Sequence, residues 1–314
     1  MGWQVCGRRA RVANILMKVL VTGGSGFIGQ YCLSQLHAKG YEVHAVSSVP
    51  RLSTASVQWH KASLLDEAQA RAVVRAVKPS HLLHLAWYTK HGKYWTSPEN
   101  LNWVRGSLAL MQEFTESGGK RIVTAGTCAE YDWHHGLCIE GKTPLVPATL
   151  YGTYKHAMQL MQHAWCEQSG LSGAWGRVFS LYGPAEYPDR LVASVIRSLL
   201  RGEVATCGNG SLVRDYSHAE DVAAAFVAVL ESSIEGPVNI GSGEAVSLHD
   251  LVEKIAQKLD GVERIEYRPP SSTRNAEPGL LLPDVSRLVS TGWKSKYNLD
   301  TGLDNTISWW RRVM

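Results

Sequence analysis

The sequence predicts an α/β protein in which a doubly wound parallel sheet is followed by a smaller α/β unit. Two observations support this prediction. Short apolar runs alternate with helix-like segments as far as Pro184, and the first run leads directly into a glycine-rich turn. Such alternation produces a parallel sheet covered by helices on both faces. Beyond Pro184 the alternation becomes irregular, which indicates the second unit.

Each element follows from the spacing of its apolar residues and from its flanking turn residues. Gly40 stands where a helix commonly ends, and Ser247 stands where one commonly begins. We predict strands over 18–21, 42–46, 57–61, 81–86, 120–125, 173–180, 237–240 and 264–268. We predict helices over 27–39, 66–77, 98–117, 150–167, 189–201, 218–230 and 299–313, and one that begins at Ser247.

The composition disfavours several functional classes. Hydrophobic residues make up 45% of the chain, charged residues make up 19%, and the net charge is +4, which is typical of a soluble globular protein. No basic stripe indicates a nucleic-acid partner, and no apolar run approaches the ~18–20 residues of a membrane span. The 6 cysteines are scattered without a Cys-x-x-Cys pair, so we expect reduced thiols, a cytoplasmic protein and no metal site.

The glycine-rich turn is the first candidate binding site. It reads Thr22-Gly-Gly-Ser-Gly-Phe-Ile-Gly29 and lies between a predicted strand and a predicted helix. This order is typical of a Rossmann-type dinucleotide-binding unit, in which glycines permit the turn, admit a pyrophosphate and let the helix pack closely. A structural turn without a ligand is the alternative. The candidate cofactor-binding residues of this turn are Gly23, Gly26, Phe27, Ile28 and Gly29.

The end of the second strand indicates which dinucleotide would bind. An NAD-binding unit usually has an acidic residue there that binds the ribose hydroxyls, whereas this chain has Ser47, Ser48 and Arg51. Two hydroxyls and a guanidinium suit a 2′-phosphate, which a carboxylate would repel. We therefore expect NADP(H), with NAD(H) as the alternative. Arg51 could instead be an ordinary solvated loop residue.

The fourth predicted strand runs into an aromatic loop. Its last residues, Leu85 and Ala86, lie where strand ends face the ligand crevice of such a sheet and are candidates for cofactor contact. Trp87 and Tyr94 belong to the following loop and could line a substrate pocket. Packing beneath the loop is the alternative for either ring.

A set of hydroxyl and amino groups could perform proton transfer. Tyr151 and Lys155 lie one turn apart on a predicted helix and therefore share a face. We expect the ammonium to lower the tyrosine pKa, so that the phenol can exchange a proton near neutral pH. Thr127 follows the preceding strand and could bind the same substrate oxygen. A chance Tyr-x-x-x-Lys spacing and an ordinary turn threonine are the alternatives.

From Met17 onward the chain resembles the extended short-chain dehydrogenase/reductase family, within the NAD-dependent epimerase/dehydratase group that acts on nucleotide sugars. The motifs that support the resemblance are Thr22-Gly-Gly-Ser-Gly-Phe-Ile-Gly29, His84-Leu-Ala86, Gly126-Thr-Cys-Ala-Glu-Tyr131, Tyr151-Gly-Thr-Tyr-Lys155, Arg177-Val-Phe-Ser-Leu-Tyr-Gly-Pro184, Arg214-Asp-Tyr-Ser-His-Ala-Glu-Asp221 and Asn239-Ile-Gly-Ser-Gly243.

The resemblance implies a role for each matching residue. Tyr151 would be the general acid and base, Lys155 would bind the nicotinamide ribose, and Thr127 would assist with its hydroxyl. The glycine turn would bind the cofactor diphosphate. The candidate substrate-binding residues are Trp87, Tyr94, Cys128, Arg190, Arg214 and Arg274. For Arg214 the alternative is a buried ion pair with Asp215 or Asp221.

The order of the predicted elements indicates a domain arrangement, and the resemblance implies a homodimer. We expect an N-terminal extension over 1–16 and a dinucleotide-binding domain over 17–183, to which 214–242 returns. Residues 184–213 and 243–314 would form the substrate-binding domain. The long helices 98–117 and 150–167 would form the dimer interface.

The chain departs from the family's dehydratases at two positions. Dehydratases have Asp-Glu directly after the catalytic threonine, whereas this chain has Cys128 and Ala129. Neither side chain can act as a carboxylate acid, which disfavours 4,6-dehydration. Glu130 follows, but in an extended segment it would face the opposite side.

Three functions remain open at this level. The favoured one is NADPH-dependent reduction of a nucleotide-linked 4-keto-6-deoxysugar to its 4-hydroxy form, with Tyr151 as proton donor. A nucleotide-sugar 4-epimerase is the second, and a non-catalytic NADP-binding regulator is the third. The intact Thr127, Tyr151 and Lys155 argue against the regulator.

Overall fold

The computed structural model describes residues 17–268 and 278–314. Their strands are β1 (Lys18–Thr22), β2 (Glu42–Ser47), β3 (Gln58–Lys61), β4 (His81–His84), β5 (Arg121–Thr127), β6 (Leu137–Cys138), β7 (Ser172–Val178), β8 (Ser180–Tyr182), β9 (Ala205–Cys207), β10 (Val213–Arg214), β11 (Tyr216–His218), β12 (Gly236–Ile240), β13 (Val246–Ser247), β14 (Ile265–Tyr267) and β15 (Leu280–Pro283). Their helices are α1 (Gly29–Ala38), α2 (Glu67–Val77), α3 (Glu99–Glu116), α4 (Leu150–Ser169), α5 (Leu191–Leu200), α6 (Ala219–Glu231), α7 (Leu248–Lys258), α8 (Ser286–Val289) and α9 (Leu299–Val313).

The main sheet has seven parallel strands in the order β12-β7-β5-β4-β1-β2-β3. The chain first builds outward from β1 through β2 to β3, and then crosses back to β4 on the other side. Such a reversal opens a crevice at the carboxyl ends of the strands, where ligands bind. Thr22 lies opposite His84 in this register, so the ends of β1 and β4 meet at the crevice.

The central strands are buried on both faces, as their continuous apolar sequences predict. Val19 and Val21 face a core that also contains Phe226 of α6. Leu20 faces the opposite core, where Leu110 of α3 and Met158 of α4 pack. The doubly wound arrangement is thus confirmed, and the predicted strands and helices are present with their ends displaced by a few residues.

The second unit has its own core and a small mixed sheet. Strands β13, β10, β15 and β6 form the four-stranded sheet, while Ile196 of α5, Ile255 of α7 and Leu303 of α9 belong to a separate apolar cluster. Two pairs of short strands, β11 with β8 and β14 with β9, complete the described sheets.

The exchange of strands between the units is more complex than the sequence predicts. β12 returns to the main sheet and pairs with β7. However, β10, which includes Arg214, pairs with β13 and β15 of the second unit. β6, within 17–183, also pairs with β15. The proposed domain boundaries therefore stay a prediction.

A buried carboxylate joins the C-terminal segment to the first unit. Asp221, near the start of α6, accepts hydrogen bonds from the backbone N–H groups of Lys296 at 2.8 Å and Tyr297 at 3.0 Å. It also accepts one from the Ser295 hydroxyl at 3.0 Å. The end of the chain thus completes the surroundings of a helix in the middle of the sequence.

Candidate active site

The glycine turn lies at the carboxyl end of β1, against the end of β4. Gly23 has φ +70°, and a Cβ there would lie 2.8 Å from the backbone nitrogen of Ala86. A Cβ on Gly29 would collide with the carbonyl oxygen of Gly23, which explains how closely α1 approaches the turn. Gly23 therefore requires glycine for its backbone conformation, and Gly29 requires glycine because a side chain would collide with the turn.

The start of α1 suits a cofactor diphosphate. Within the described residues, no side chain caps this helix and its first turn holds no acidic residue. A Cβ on Gly26 would lie 3.1 Å from the Gly23 carbonyl oxygen, closer than an ordinary van der Waals contact, so glycine suits this position as well. A helix N-terminus preceded by such a turn attracts phosphate groups. The predicted residues Gly23, Gly26, Phe27, Ile28 and Gly29 thus fit a dinucleotide.

A buried hydrogen-bond chain fixes the adjacent end of β4. The Thr22 hydroxyl lies 2.6 Å from Nδ1 of His84, whose Nε2 lies 2.8 Å from the Ser107 hydroxyl. Thr22 also accepts the N–H of Ala86 at 3.2 Å, and its carbonyl accepts that of Leu85 at 3.1 Å. Burial lowers the pKa of His84 to about 3, so its ring is neutral. Sequence analysis did not assign this role to His84, although a histidine within an apolar strand is a signal for it.

The end of β2 places the predicted 2′-phosphate residues at one edge. Ser47 is buried, and its hydroxyl accepts the N–H of Val49 at 3.2 Å. Ser48 is exposed. Arg51 is also exposed, and its guanidinium carbon lies 5.1 Å from the centre of the Trp59 ring. Their contact with a cofactor stays a prediction.

Thr127 and Tyr151 face each other at the carboxyl end of β5. The Thr127 hydroxyl accepts the N–H of Ala129 at 3.2 Å, and a hydrogen bond between Thr127 and Tyr151 favours the ionised phenol. Thr149 caps α4 by accepting the N–H of Gly152 at 3.0 Å. A Cβ on Gly152 would collide with the Ala129 carbonyl oxygen, so glycine lets α4 begin directly against the Thr127 turn. The structure thus brings the predicted catalytic hydroxyls together.

The expected effect of Lys155 on the tyrosine is not found. Burial raises the pKa of Tyr151 above its ordinary value and outweighs the hydrogen bond with Thr127. Lys155 is buried as well, and burial lowers its own pKa to about 7. Its Nζ donates to the Ala125 carbonyl at 2.8 Å. The prediction of a lowered tyrosine pKa is therefore wrong, because desolvation dominates.

The positions after Thr127 contain no available carboxylate. Cys128 is half-buried, and burial raises the pKa of its thiol to about 12, so the thiol is neutral. Glu130 is 0% exposed, and its oxygens accept hydrogen bonds from Trp175 Nε1 at 2.8 Å and from Arg177 Nε at 2.7 Å. The segment forms one 3-10 turn, not the extended segment we expected. Glu130 nevertheless lies in the core, engaged by Arg177.

Two aromatic rings pack against Tyr151, and a third ring packs against one of them. Tyr94 packs edge-on, 4.9 Å between ring centres, and Trp95 does so at 5.7 Å. Trp133 packs edge-on against Trp95 at 6.3 Å, and its indole N–H donates to the Cys128 carbonyl at 3.2 Å. These three rings are half-buried. We call Tyr94, Trp95 and Trp133 the aromatic wall.

Trp87 is placed differently from the other rings of its loop. It is only 8% exposed, and its ring centre lies 3.7 Å from Nζ of Lys155. Its indole N–H donates to the side chain of Asn100 at 2.8 Å. We expected Trp87 to line the substrate pocket, whereas the structure places it against Lys155. Sequence analysis missed Asn100, because its partner Trp87 comes from the preceding loop.

The candidate arginines have distinct positions. Arg214 is buried, donates to the Val213 carbonyl at 2.9 Å, and its charge favours the ionised thiol of Cys128. Arg190 is half-buried directly before α5. Arg274 lies outside the described residues. Asp215 and Asp221 are the alternative ion-pair partners of Arg214. Asp215 accepts the N–H of Gly243 at 2.6 Å, and Asp221 binds the C-terminal segment as described above.

The glycine turn, the strand-end hydroxyl and the Tyr151–Lys155 helix together define an extended short-chain dehydrogenase/reductase. The chain belongs to the NAD dependent epimerase/dehydratase family, whose model matches residues 19–241. The family that the motifs indicated is thereby confirmed. This chain is therefore a member of an enzyme family that acts on nucleotide sugars.

Relatives within this family have different activities. The chain is 24% identical over 322 residues to a UDP-glucose 4-epimerase of Halalkalibacterium halodurans, covering 93% of this chain and 95% of that protein. It is 26% identical over 357 residues to a dTDP-glucose 4,6-dehydratase of Escherichia coli, covering 95% and 96%. Similarity to both an epimerase and a dehydratase leaves the reaction to be argued from the site.

A solved structure confirms the fold. MoeE5 in complex with UDP-glucuronic acid and NAD superposes with a TM-score of 0.82 and 28% identity, covering 95% of this chain and 100% of that chain. That protein binds NAD, which is consistent with the prediction that the cofactor is a nicotinamide dinucleotide. The predicted preference for NADP(H) over NAD(H) is not shown. In the described part of the present chain, no helix is long and apolar enough to cross a membrane.

Proposed function

We propose that this protein reduces the 4-keto group of a nucleotide-linked 4-keto-6-deoxysugar, with NADPH as the source of hydride. One observation supports the proposal above all. The hydroxyls of Thr127 and Tyr151 face each other, while the following residues, Cys128 and Ala129, have no carboxylate. The site can therefore stabilise and protonate an oxygen, but it lacks the acid that its dehydratase relatives use.

The protonation state of Tyr151 suits reduction. Because burial raises its pKa, the phenol is protonated at neutral pH and can donate to the oxygen that becomes an alkoxide. Thr127 accepts the N–H of Ala129, which leaves its own hydroxyl proton to be donated to the same oxygen. The reduced nicotinamide would supply the hydride, and Lys155 lies on the same face of α4 as Tyr151 to bind the ribose.

The aromatic wall supports a deoxysugar. Two of its rings, Tyr94 and Trp95, pack against Tyr151, and their mainly carbon surface favours burial of a methyl group over a hydroxymethyl group. Cys128 adds a neutral thiol beside these rings. Arg214, which acts electrostatically on Cys128, would bind the diphosphate of the nucleotide, because a guanidinium binds phosphate oxygens in pairs.

We expect NADPH to bind more tightly than NADH. Ser48 and Arg51 are exposed at the end of β2, and no acidic residue ends this strand to repel a 2′-phosphate. Arg51→Ala should weaken the binding of NADPH by about tenfold and leave the binding of NADH nearly unchanged, since only NADPH has that phosphate. Fluorescence titration of both nucleotides measures this preference. Arg105→Ala, an exposed arginine on α3, is the matched control, and tighter binding of NADH by the unaltered protein would contradict the prediction.

A 4-epimerase is the second candidate, and the epimerase relative favours it. An epimerase oxidises the C4 hydroxyl first, so it needs Tyr151 as a base and room for the keto sugar to turn. The raised pKa of Tyr151 and the rings around it favour reduction instead. A non-catalytic NADP-binding regulator is the third candidate, and the assembled Thr127 and Tyr151 argue against it.

Two activity assays and one binding measurement separate these three functions. With a dTDP- or UDP-linked 4-keto-6-deoxyhexose, we expect the protein to oxidise NADPH in proportion to the hydroxy sugar formed. Interconversion of UDP-hexoses without net change in added cofactor would identify an epimerase. Tight NADPH binding with neither reaction would identify a regulator.

The predicted homodimer has some structural support. Leu101 on α3 and Leu150, Leu160 and Met161 on α4 are exposed apolar residues, and such surfaces commonly mark protein interfaces. Dimerisation through these helices is part of the proposal, as is a location in the cytoplasm.

A further inference from the structure

The Lys155 ammonium lies between two indole rings. Its Nζ is 3.7 Å from the centre of the Trp87 ring and 5.9 Å from that of Trp175. A cation over an indole face within about 6 Å is attracted by the ring electrons, most strongly where water is excluded. Both rings and Lys155 are buried. The contact with Trp87 is the closer and is therefore the stronger of the two.

Trp87 is itself held in a fixed orientation. Asn100 is fully buried, and its side-chain oxygen accepts the Trp87 indole N–H at 2.8 Å. The Asn100 amide donates to the carbonyls of Tyr94 at 2.8 Å and Ser97 at 2.9 Å. These bonds join the aromatic loop to the start of α3. These protein contacts hold the indole face against Lys155.

The Ala125 carbonyl accepts a hydrogen bond from Lys155 Nζ at 2.8 Å, whereas the charged and titratable groups nearby give the charge of Lys155 limited support. Glu130 on the Thr127 turn favours the ammonium, but its carboxylate is bound by Arg177 at 2.7 Å. His84 of β4 is neutral, because its pKa lies near 3, and the Tyr151 phenol is protonated. Burial opposes the charge and lowers the Lys155 pKa to about 7. Small changes around the ammonium therefore alter its charged fraction at neutral pH.

We propose that Trp87 is a positioning residue whose indole face keeps the Lys155 ammonium charged and in place beside Tyr151. The contact itself is a feature of the fold, and only its effect on turnover rests on the proposed function. Lys155 is charged below its pKa and neutral above it. Loss of the indole's attraction lowers that pKa, so the charged form disappears at a lower pH.

The direct test changes the ring electrons without changing the ring shape. Nonsense suppression places 5-fluorotryptophan or 5,6,7-trifluorotryptophan at position 87 alone, and NMR of lysine labelled at Cε and Nζ follows Lys155 against pH. Lys155→Met assigns the signal. We expect the Lys155 pKa to fall stepwise with fluorination, by about one pH unit in the trifluoro protein.

A matched control separates this effect from general packing. Trp103 lies 6.4 Å from Trp87 between ring centres, one ring further from Lys155, and the same fluorinated residues there should leave the Lys155 pKa unchanged. A Lys155 pKa that stays constant or rises on fluorination of Trp87 would overturn the proposal. An equal fall in the Trp103 series would also overturn it.

Turnover provides the second measurement. The alkaline limb of the rate against pH should move to lower pH in Trp87→Leu and less so in Trp87→Phe, which keeps an aromatic face. If the unaltered protein reduces no keto sugar, the proposed function fails while the NMR titration still decides the role of Trp87. If turnover occurs but neither the alkaline limb of the rate profile nor the Lys155 pKa measured by NMR shifts, only the inference about Trp87 is overturned.

Discussion

Replacing Tyr151 by phenylalanine is expected to reduce turnover by about 10²–10⁴-fold and to leave cofactor binding nearly unchanged. The phenol is the group that faces Thr127 and donates the proton in the proposed reduction. Phenylalanine keeps the ring, and with it the edge-on contacts to Tyr94 and Trp95. The substitution therefore removes a proton donor without opening a cavity. Steady-state rates and nucleotide titration measure the two effects separately.

Tyr154→Phe is the matched control for this experiment. Tyr154 lies on the same helix, three residues later, and is half-buried. Its substitution removes a phenol of equal size outside the catalytic set, so turnover should remain close to that of the unaltered protein. Substantial turnover in Tyr151→Phe would refute the role of Tyr151, whichever reaction the enzyme performs.

Glu130→Ala is expected to lower the free energy of unfolding by about 3–5 kcal/mol, because it leaves a buried arginine without its counter-ion. Arg177 is 1% exposed and bonds to Glu130 through Nε at 2.7 Å. Glu130 also accepts the N–H of Thr127 at 2.8 Å. The loss should therefore loosen the catalytic turn as well as the core. Urea unfolding followed by circular dichroism measures the change in stability.

Glu113→Ala provides the comparison for Glu130. Glu113 is also buried and binds Arg75 at 2.7 Å, but the Arg75 side chain is 65% exposed. Water can solvate Arg75 when its partner is removed, so we expect a clearly smaller loss of stability. Equal losses of stability at the two sites would show that burial of the arginine does not determine how much stability is lost. Arg177→Met combined with Glu130→Ala should recover part of the stability, since no unpaired charge then remains.

The main sheet and the cofactor turn could be predicted because their signals are local. A glycine turn lies next to its strand and its helix in the sequence, and the apolar run of β1 is buried on both faces. Tyr151 and Lys155 share a helix face because they lie one turn apart. The family's motifs then supplied the roles of these residues. Patterns within about ten residues therefore located most of the candidate site.

The contacts that support the site could not be predicted because they join distant parts of the chain. Glu130 meets Trp175 and Arg177 only because β5 and β7 are neighbours in the sheet. The orientation of Trp87 against Lys155 depends on the packing of the aromatic loop on α4. Burial is likewise a property of the whole fold, which is why it reversed the expected shift of the Tyr151 pKa.

The binding of Asp221 to residues 295–297 has a consequence for synthesis and for engineering. A helix in the middle of the sequence obtains the partners of its buried carboxylate only after nearly the whole chain has left the ribosome. A nascent or prematurely ended chain would leave that carboxylate without these three donors. Residues 295–297 should therefore be kept in any shortened chain, and a fusion partner inserted within them would remove donors from this carboxylate.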